Sequence, residues 1–162
     1  MGDETRMVLR GGHVVDPVNG VNGPADVAIA DGRVVAVGRD LPIEPGTTVI
    51  AVPRHGVVCP GFIDMHAHLR EPGEEHKETV ATGVAAAVAG GFTAVACMPN
   101  TIPVNDHAGV TRLIQRKAAE AGLARVYPVG AVTKGRDGEH LAEIGELHAA
   151  GCVAISDDGR PV

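Results

Sequence analysis

The sequence predicts an α/β fold: a partial (β/α)8 barrel, about its first four strands, preceded by a small, mostly antiparallel β-sheet domain. Three observations point there. Residues 7 to about 56 read as short apolar runs broken by turn formers; from Val57 onward strands and helices alternate with short connections; and the polar residues suited to chemistry fall at the carboxyl ends of the predicted strands. The expected domains are residues 1–56 for the sheet and 57–162 for the barrel half. A complete barrel takes roughly 250 residues, so a chain of 162 is expected to be a fragment of a longer protein or a short form that needs a partner.

In the first domain the predicted strands are Met7 to Val15, Ala25 to Ala30, Arg33 to Gly38 and Thr48 to Val52. Between them lie Asp16-Pro17, Asn19-Gly20, Asn22-Gly23-Pro24 and Glu44-Pro45-Gly46. Asp31-Gly32, between two β-branched runs, is the clearest two-residue hairpin signal. His13 and His55 stand alone here and read as surface or packing residues.

From Val57 to Ile63 a short apolar run reads as a buried strand that delivers His66 and His68. The alanine-rich stretch Glu75 to Ala89 predicts a helix closed by Gly90-Gly91, with the acidic residues among Glu74, Glu75, Lys77 and Glu78 suiting the positive end of its dipole. Phe92 to Met98 is the next strand, and Asp106 to Ala121 a second helix, with Asn105 or Asp106 as its N-cap and Gly122 as its stop. Arg125 to Val132, Glu139 to Ala149 and Cys152 to Ile155 complete the pattern as strand, helix and strand. Lys134, Arg136 and Asp137 read as solvated loop. A doubly wound sheet is the competing closed solution, but no Gly-X-Gly-X-X-Gly fingerprint or Walker loop follows any strand, which favours the barrel.

Composition narrows the partners. Hydrophobic residues make up 44% of the chain and aromatic ones 2%, so the core has to be packed from Val, Ala, Ile and Leu. A formal net charge of -6 argues against nucleic acid and anionic membrane surfaces, because phosphates demand a basic footprint. No apolar run reaches the roughly 18 residues of a membrane span, and Met1 to Arg6 lacks a secretory pattern, so a cytoplasmic protein is expected. Cys59, Cys97 and Cys152 each fall inside a predicted strand and are expected as buried free thiols, with no Cys-X-X-Cys spacing to hold a metal.

The chemistry gathers in Gly61-Phe62-Ile63-Asp64-Met65-His66-Ala67-His68-Leu69-Arg70-Glu71-Pro72-Gly73. Side chains alternate along a strand, so His66 and His68 project from one face as a pair of metal ligands. A metal with an open position suits hydrolysis. Arg70 continues the same alternation, and a guanidinium beside a metal implies an anion between them; it reads as a clamp for a substrate carboxylate, with Glu71-Pro72-Gly73 as turn chemistry. Asn100, at the end of its strand, offers an uncharged amide donor. Asp157 and Asp158 face opposite ways, so only one looks into the site. Asp64 shares the histidine face as an orienter or metal neighbour. His76, His107, His140 and His148 sit on predicted helices or helix starts as surface residues.

This run, with Cys97-Met98-Pro99-Asn100-Thr101 and Ser156-Asp157-Asp158-Gly159, resembles the dihydroorotases of the cyclic amidohydrolase family, and specifically their N-terminal portion. Hydantoinases and allantoinases share the His-X-His strand, whereas Arg70 with Asn100 is typical of dihydroorotases. The resemblance implies reversible hydrolysis of dihydroorotate to N-carbamoyl-L-aspartate in de novo pyrimidine biosynthesis. It implies one or two zinc ions on His66, His68 and Asp158, the last as a bridging carboxylate in place of the carboxylated lysine of other members. It gives His68, Arg70 and Asn100 to the small anionic substrate, and it puts the general base beyond Val162, so that the isolated chain is expected to be inactive or nearly so. Residues 1–56 would belong to a composite sheet completed by a C-terminal segment. A homo-oligomer or an aspartate transcarbamoylase is the expected protein partner. Two alternatives stand: a non-catalytic dihydroorotase-like subunit that stabilises a transcarbamoylase, and a hydantoinase- or allantoinase-type enzyme.

Overall fold

The computed structural model describes residues 6–160 and 162; Met1 to Thr5, most of the stretch read above for a secretory pattern, lie outside the described residues. Two units form, Met1–Pro60 and Gly61–Val162.

In the first unit, β1 (Arg6–Asp16), β2 (Val21–Ala30), β3 (Arg33–Gly38) and β4 (Thr48–Ala51) lie in the order β3-β2-β1-β4, and β5 (Val57–Val58) also pairs with β1. The β2–β3 hairpin turns on Asp31 and Gly32, both at positive φ (48° and 72°), the backbone that a two-residue I′ turn demands. The sheet is mixed rather than mostly antiparallel. The segment after β3 carries the chain back, so β4 runs parallel to β1, and β5 continues in the same direction farther along β1. Val57 and Val58, expected to open the histidine strand, instead pair with His13 and Val14. An apolar run reports that a strand is present but not which sheet it joins. Val8, Val14 and Val27 are buried here, and the buried Asp26 accepts from the backbone N–H groups of Gly11 and Leu41 and from Arg10 Nη2. His13 Nε2 meets Asn22 Oδ1 at 2.7 Å across the β1–β2 pair, an exposed contact that makes it a surface residue.

The second unit carries a four-stranded parallel sheet, β6 (Phe62–Ala67), β7 (Phe92–Cys97), β8 (Arg125–Gly130) and β9 (Ala154–Ile155), in sequential order. A doubly wound sheet reverses its strand order partway; this one does not, and it curls as the first part of a barrel. Helices α1 (Val80–Ala89), α2 (Ala108–Ala121) and α3 (Ile144–Ala149) fill the connections.

Helix starts depart from expectation. α1 begins at Val80, not Glu75, because Thr79 and Thr82 form a capping box. Residues 71–77 are turns instead: the Glu75 carboxylate accepts from Gly73 N–H, and Glu74 is held by Arg70 and Lys77. α2 begins at Ala108, capped by His107, whose Nδ1 accepts from Gly109 N–H at 3.1 Å, while Gly122 ends it at φ 64°. Asn105 is fully buried, donating from Nδ2 to the Val129 carbonyl at 2.9 Å and accepting from Thr111 Oγ1 at 2.7 Å, so it ties α2 to β8 rather than capping a helix. The third helix and fourth strand are shorter than expected.

The core gathers Leu69, Val80, Val84, Val95 and Cys97, with Ala67, Ala87, Ala118 and Ala121 packed against it. Small and β-branched side chains fill the space that aromatics would otherwise take. Each fully buried Val contributes roughly 1.5–3 kcal/mol. β6 itself is not buried: Phe62, Ile63 and Met65 are exposed, since β6 lies at the sheet edge, bonded to β7 alone. Of the cysteines only Cys97 lies in a strand; Cys152 is buried just ahead of β9, and Cys59, between β5 and β6, is exposed. Among the described residues no helix is long and apolar enough to cross a membrane.

Candidate metal centre

β6 places the first imidazole and fixes it locally: Asp64 Oδ1 accepts from the backbone N–H of His66 at 3.0 Å. Asp64 therefore orients the backbone rather than a ring. His68 follows one residue past the strand, and the two rings meet edge to face with centroids 5.2 Å apart, on one side of the chain as alternation requires.

The loop after β9 brings the third donor. Asp158 Oδ1 lies 3.0 Å from His66 Nε2, and its Oδ2 lies 3.9 Å from His68 Nδ1. One ligand atom from each of these residues falls within 4.8 Å of the others. Two imidazoles and a carboxylate are a donor set that suits zinc, and their convergence from two separate elements fits a shared cation.

Asp157 points elsewhere. It is buried, its Oδ1 accepting from the backbone N–H groups of Val132 and Thr133 and its Oδ2 from Thr133 Oγ1 at 2.6 Å. Asp158 has φ 39°, a left-handed backbone uncommon for a residue with a Cβ. Arg136, expected as solvated loop, spans both residues: Nε donates to the Asp157 carbonyl at 2.9 Å and Nη2 to the Asp158 carbonyl at 2.7 Å. Its Gly-flanked surroundings gave no signal of this.

Asn100 joins the site through His68, whose Nδ1 lies 2.9 Å from Asn100 Oδ1. The same Nδ1 is the His68 nitrogen that lies 3.9 Å from Asp158 Oδ2, and the Asn100 amide still carries two N–H donors. Arg70 departs from expectation. β6 ends at Ala67 and Arg70 sits at φ 60°, so strand alternation does not reach it. Its Nη1 donates to Glu74 Oε2 at 3.4 Å, and Lys77 grips the other oxygen of the same carboxylate. The Lys77 hydrogen bond, helped by the charge of Arg70, holds the Glu74 carboxyl below its usual range. Arg70 is thus paired with a carboxylate of the chain itself.

Glu71 does more than turn the chain. Its buried carboxylate accepts from Val80 N–H at 2.9 Å and pairs with Lys117 Nζ at 3.1 Å, joining α1 to α2 and raising the Lys117 ammonium pKa. The next turn presses against the loop that carries Asn100. Ile102 N–H donates to the Pro72 carbonyl, and a Cβ at Gly73 (φ 101°) would stand 2.2 Å from the Ile102 carbonyl oxygen, so only glycine fits. Asp137, Glu139 and His140 also bring donor atoms within 4.8 Å, but all three are exposed and Asp137 Oδ1 already accepts from two backbone N–H groups.

Parallel strands in sequential order, an imidazole pair at the end of the first and a carboxylate after the fourth define the class of fold, the first part of a β/α barrel that carries a candidate metal site. The chain belongs to the dihydro-orotase-like family, whose model matches residues 55–162. It is 60% identical over 156 residues to the dihydroorotase of Anaeromyxobacter dehalogenans (strain 2CP-C) and 50% identical to that of Geobacter sulfurreducens, in each case over 96% of this chain and 36% of the relative. The chain thus spans about a third of the length of these relatives. Among solved structures, the L-hydantoinase of Arthrobacter aurescens matches 92% of this chain and 32% of its own with a TM-score of 0.75 at 21% identity, a likeness of fold. The D-hydantoinase of a Thermus species matches 78% of this chain and 28% of its own, with a TM-score of 0.59 at 28% identity.

Proposed function

We propose that the chain carries the first part of the active site of a zinc-dependent dihydroorotase, which hydrolyses dihydroorotate reversibly to N-carbamoyl-L-aspartate in the cytoplasm during de novo pyrimidine synthesis. The observation that carries the reading is the convergence of His66, His68 and Asp158 at the carboxyl end of the parallel sheet, in a chain 60% identical to a dihydroorotase. His66, His68 and Asp158 hold one or two zinc ions, which when bound supply Lewis-acid activation of the scissile carbonyl and of water.

The remaining chemistry belongs to the side chains. The substrate is a small anion, and its carboxylate takes over the guanidinium of Arg70, which the Glu74 carboxylate engages in the present structure. A planar guanidinium gives two parallel N–H donors to that carboxylate, and the Asn100 amide adds a neutral one from the neighbouring loop. The His68–Asn100 contact couples metal holding to substrate orientation. These residues assign no acceptor for the proton exchanged at the ring nitrogen, and on this reading the isolated chain turns over dihydroorotate slowly or not at all.

The hydantoinase neighbours favour one second reading, a hydantoin-type ring as substrate. Comparing hydrolysis of dihydroorotate, hydantoin and allantoin by a full-length relative, before and after Arg70→Ala, separates the two; dihydroorotate should lose most. The metal reading is tested by elemental analysis of the purified chain against a His66→Ala/His68→Ala variant, with circular dichroism on both. Zinc in the parent and none in an equally folded variant is the expected result. A folded parent that takes up no zinc overturns it.

A further inference from the structure

We propose that Arg136 is the positioning residue of the metal centre: its guanidinium grips the consecutive carbonyls of Asp157 and Asp158 and thereby aims the Asp158 carboxylate at His66 and His68. The inference rests on the metal-site reading above and assigns a residue outside the ligand set.

Four observations carry it. Asp158 holds a left-handed backbone (φ 39°), uncommon outside glycine although aspartate enters it more readily than most residues, so the contacts around it decide how firmly it is kept. The surrounding contacts are specific: Ser156 Oγ accepts from Asp158 N–H at 3.0 Å, and Arg136 Nη2 donates to the Asp158 carbonyl at 2.7 Å. Arg136 Nε donates at the same time to the Asp157 carbonyl, so one rigid fork spans two successive peptide groups, a geometry that a single ammonium cannot reproduce. Arg136 is itself at φ 60°, between Gly135 and Asp137, in a turn where glycine would be the easy occupant.

The bracing is a closed circuit. Arg136 N–H donates to the Thr133 carbonyl, Thr133 Oγ1 donates to the Asp157 carboxylate, and Asp157 lies in the backbone that Arg136 holds. The loops after β8 and β9 are thereby locked together, and the Asp158 carboxylate is the one side chain of that assembly that meets the histidines. A ligand whose backbone is fixed in advance loses less freedom on binding a cation, and partners that orient ligands typically contribute about 10- to 100-fold in metal affinity.

The test is titration of the metal-free protein with Co2+, followed by visible absorption, in the parent, Arg136→Gln and Arg136→Lys, with circular dichroism and thermal unfolding of the metal-free proteins alongside. Arg136→Gln should bind Co2+ at least about tenfold more weakly and with an altered spectrum, and Arg136→Lys should fall between it and the parent. Affinity and spectrum equal to the parent in a folded variant overturn the inference, whatever happens to the unfolding temperature, because Arg136 is then only a loop brace. Should the glutamine variant fail to fold, the lysine variant decides by the same criterion. A parent that binds no Co2+ removes the metal-site reading and the inference with it; a parent that binds beside variants that bind equally removes the inference alone.

Discussion

Asp157 and Asp158 are neighbours in sequence with opposite duties: the Asp157 carboxylate is buried on three donors from Val132 and Thr133, and the Asp158 carboxylate stands 3.0 Å from His66 Nε2.

Their substitutions should therefore separate stability from metal binding. Asp157→Ala leaves three donors without an acceptor and should destabilise the protein by about 3 kcal/mol, read as a shift in the urea midpoint. Asp158→Asn keeps a residue at ease in the left-handed region and should change stability by less than about 0.5 kcal/mol while abolishing metal uptake. Equal effects of the two on stability would contradict this division.

Acid sensitivity of the first unit should trace to Asp26. The backbone N–H of Gly11, then that of Leu41 and the charge of Arg10, hold its carboxyl below the ordinary value of 3.8. A carboxyl whose folded pKa is depressed adds stability in full above the unfolded value, and that stability is lost as pH falls through the folded one. The stability difference between the parent and Asp26→Asn should thus be present in full well above the ordinary value of 3.8 and shrink as pH falls below it. A difference that does not vary with pH would count against the role given to Asp26.

The thiols should divide one to two. Cys59 is exposed, while Cys97 and Cys152 are buried, and burial pushes the Cys97 thiol up to about 11 and raises that of Cys152. A disulfide reagent at neutral pH should modify one cysteine quickly, that one being lost in Cys59→Ser, and reach the other two only on unfolding. Because the fold favours the neutral form of Cys97, its contribution is complete below the ordinary value of 9.0 and declines as pH rises through about 11. The chain has no Trp, so circular dichroism is the convenient probe.

Local chemistry made part of the fold legible. A two-residue turn and a glycine mark the ends of β3, and Gly122 marks the end of α2 because the left-handed cap it adopts suits glycine. What escaped was set by tertiary partners. Glu74 to Glu78 have the composition of a helix start, yet their carboxylates serve Arg70, Lys77, Gly73 and Thr82. The resemblance names Asp158 over Asp157, but strand alternation does not reach either residue because β9 ends at Ile155, and the contacts that set the two apart come from Thr133 and Arg136, more than twenty residues away. A charged residue in a glycine-rich turn gives no sign in sequence that its donors are spoken for.

The contact between Gly73 and Ile102 bears on how such a site is held. With no room for even a methyl group between the turn and that carbonyl, the segment bearing His68 and Arg70 and the segment bearing Asn100 travel as one piece. The reach from imidazole to amide is a property of the main chain there. Sliding or lengthening either segment would break that joint.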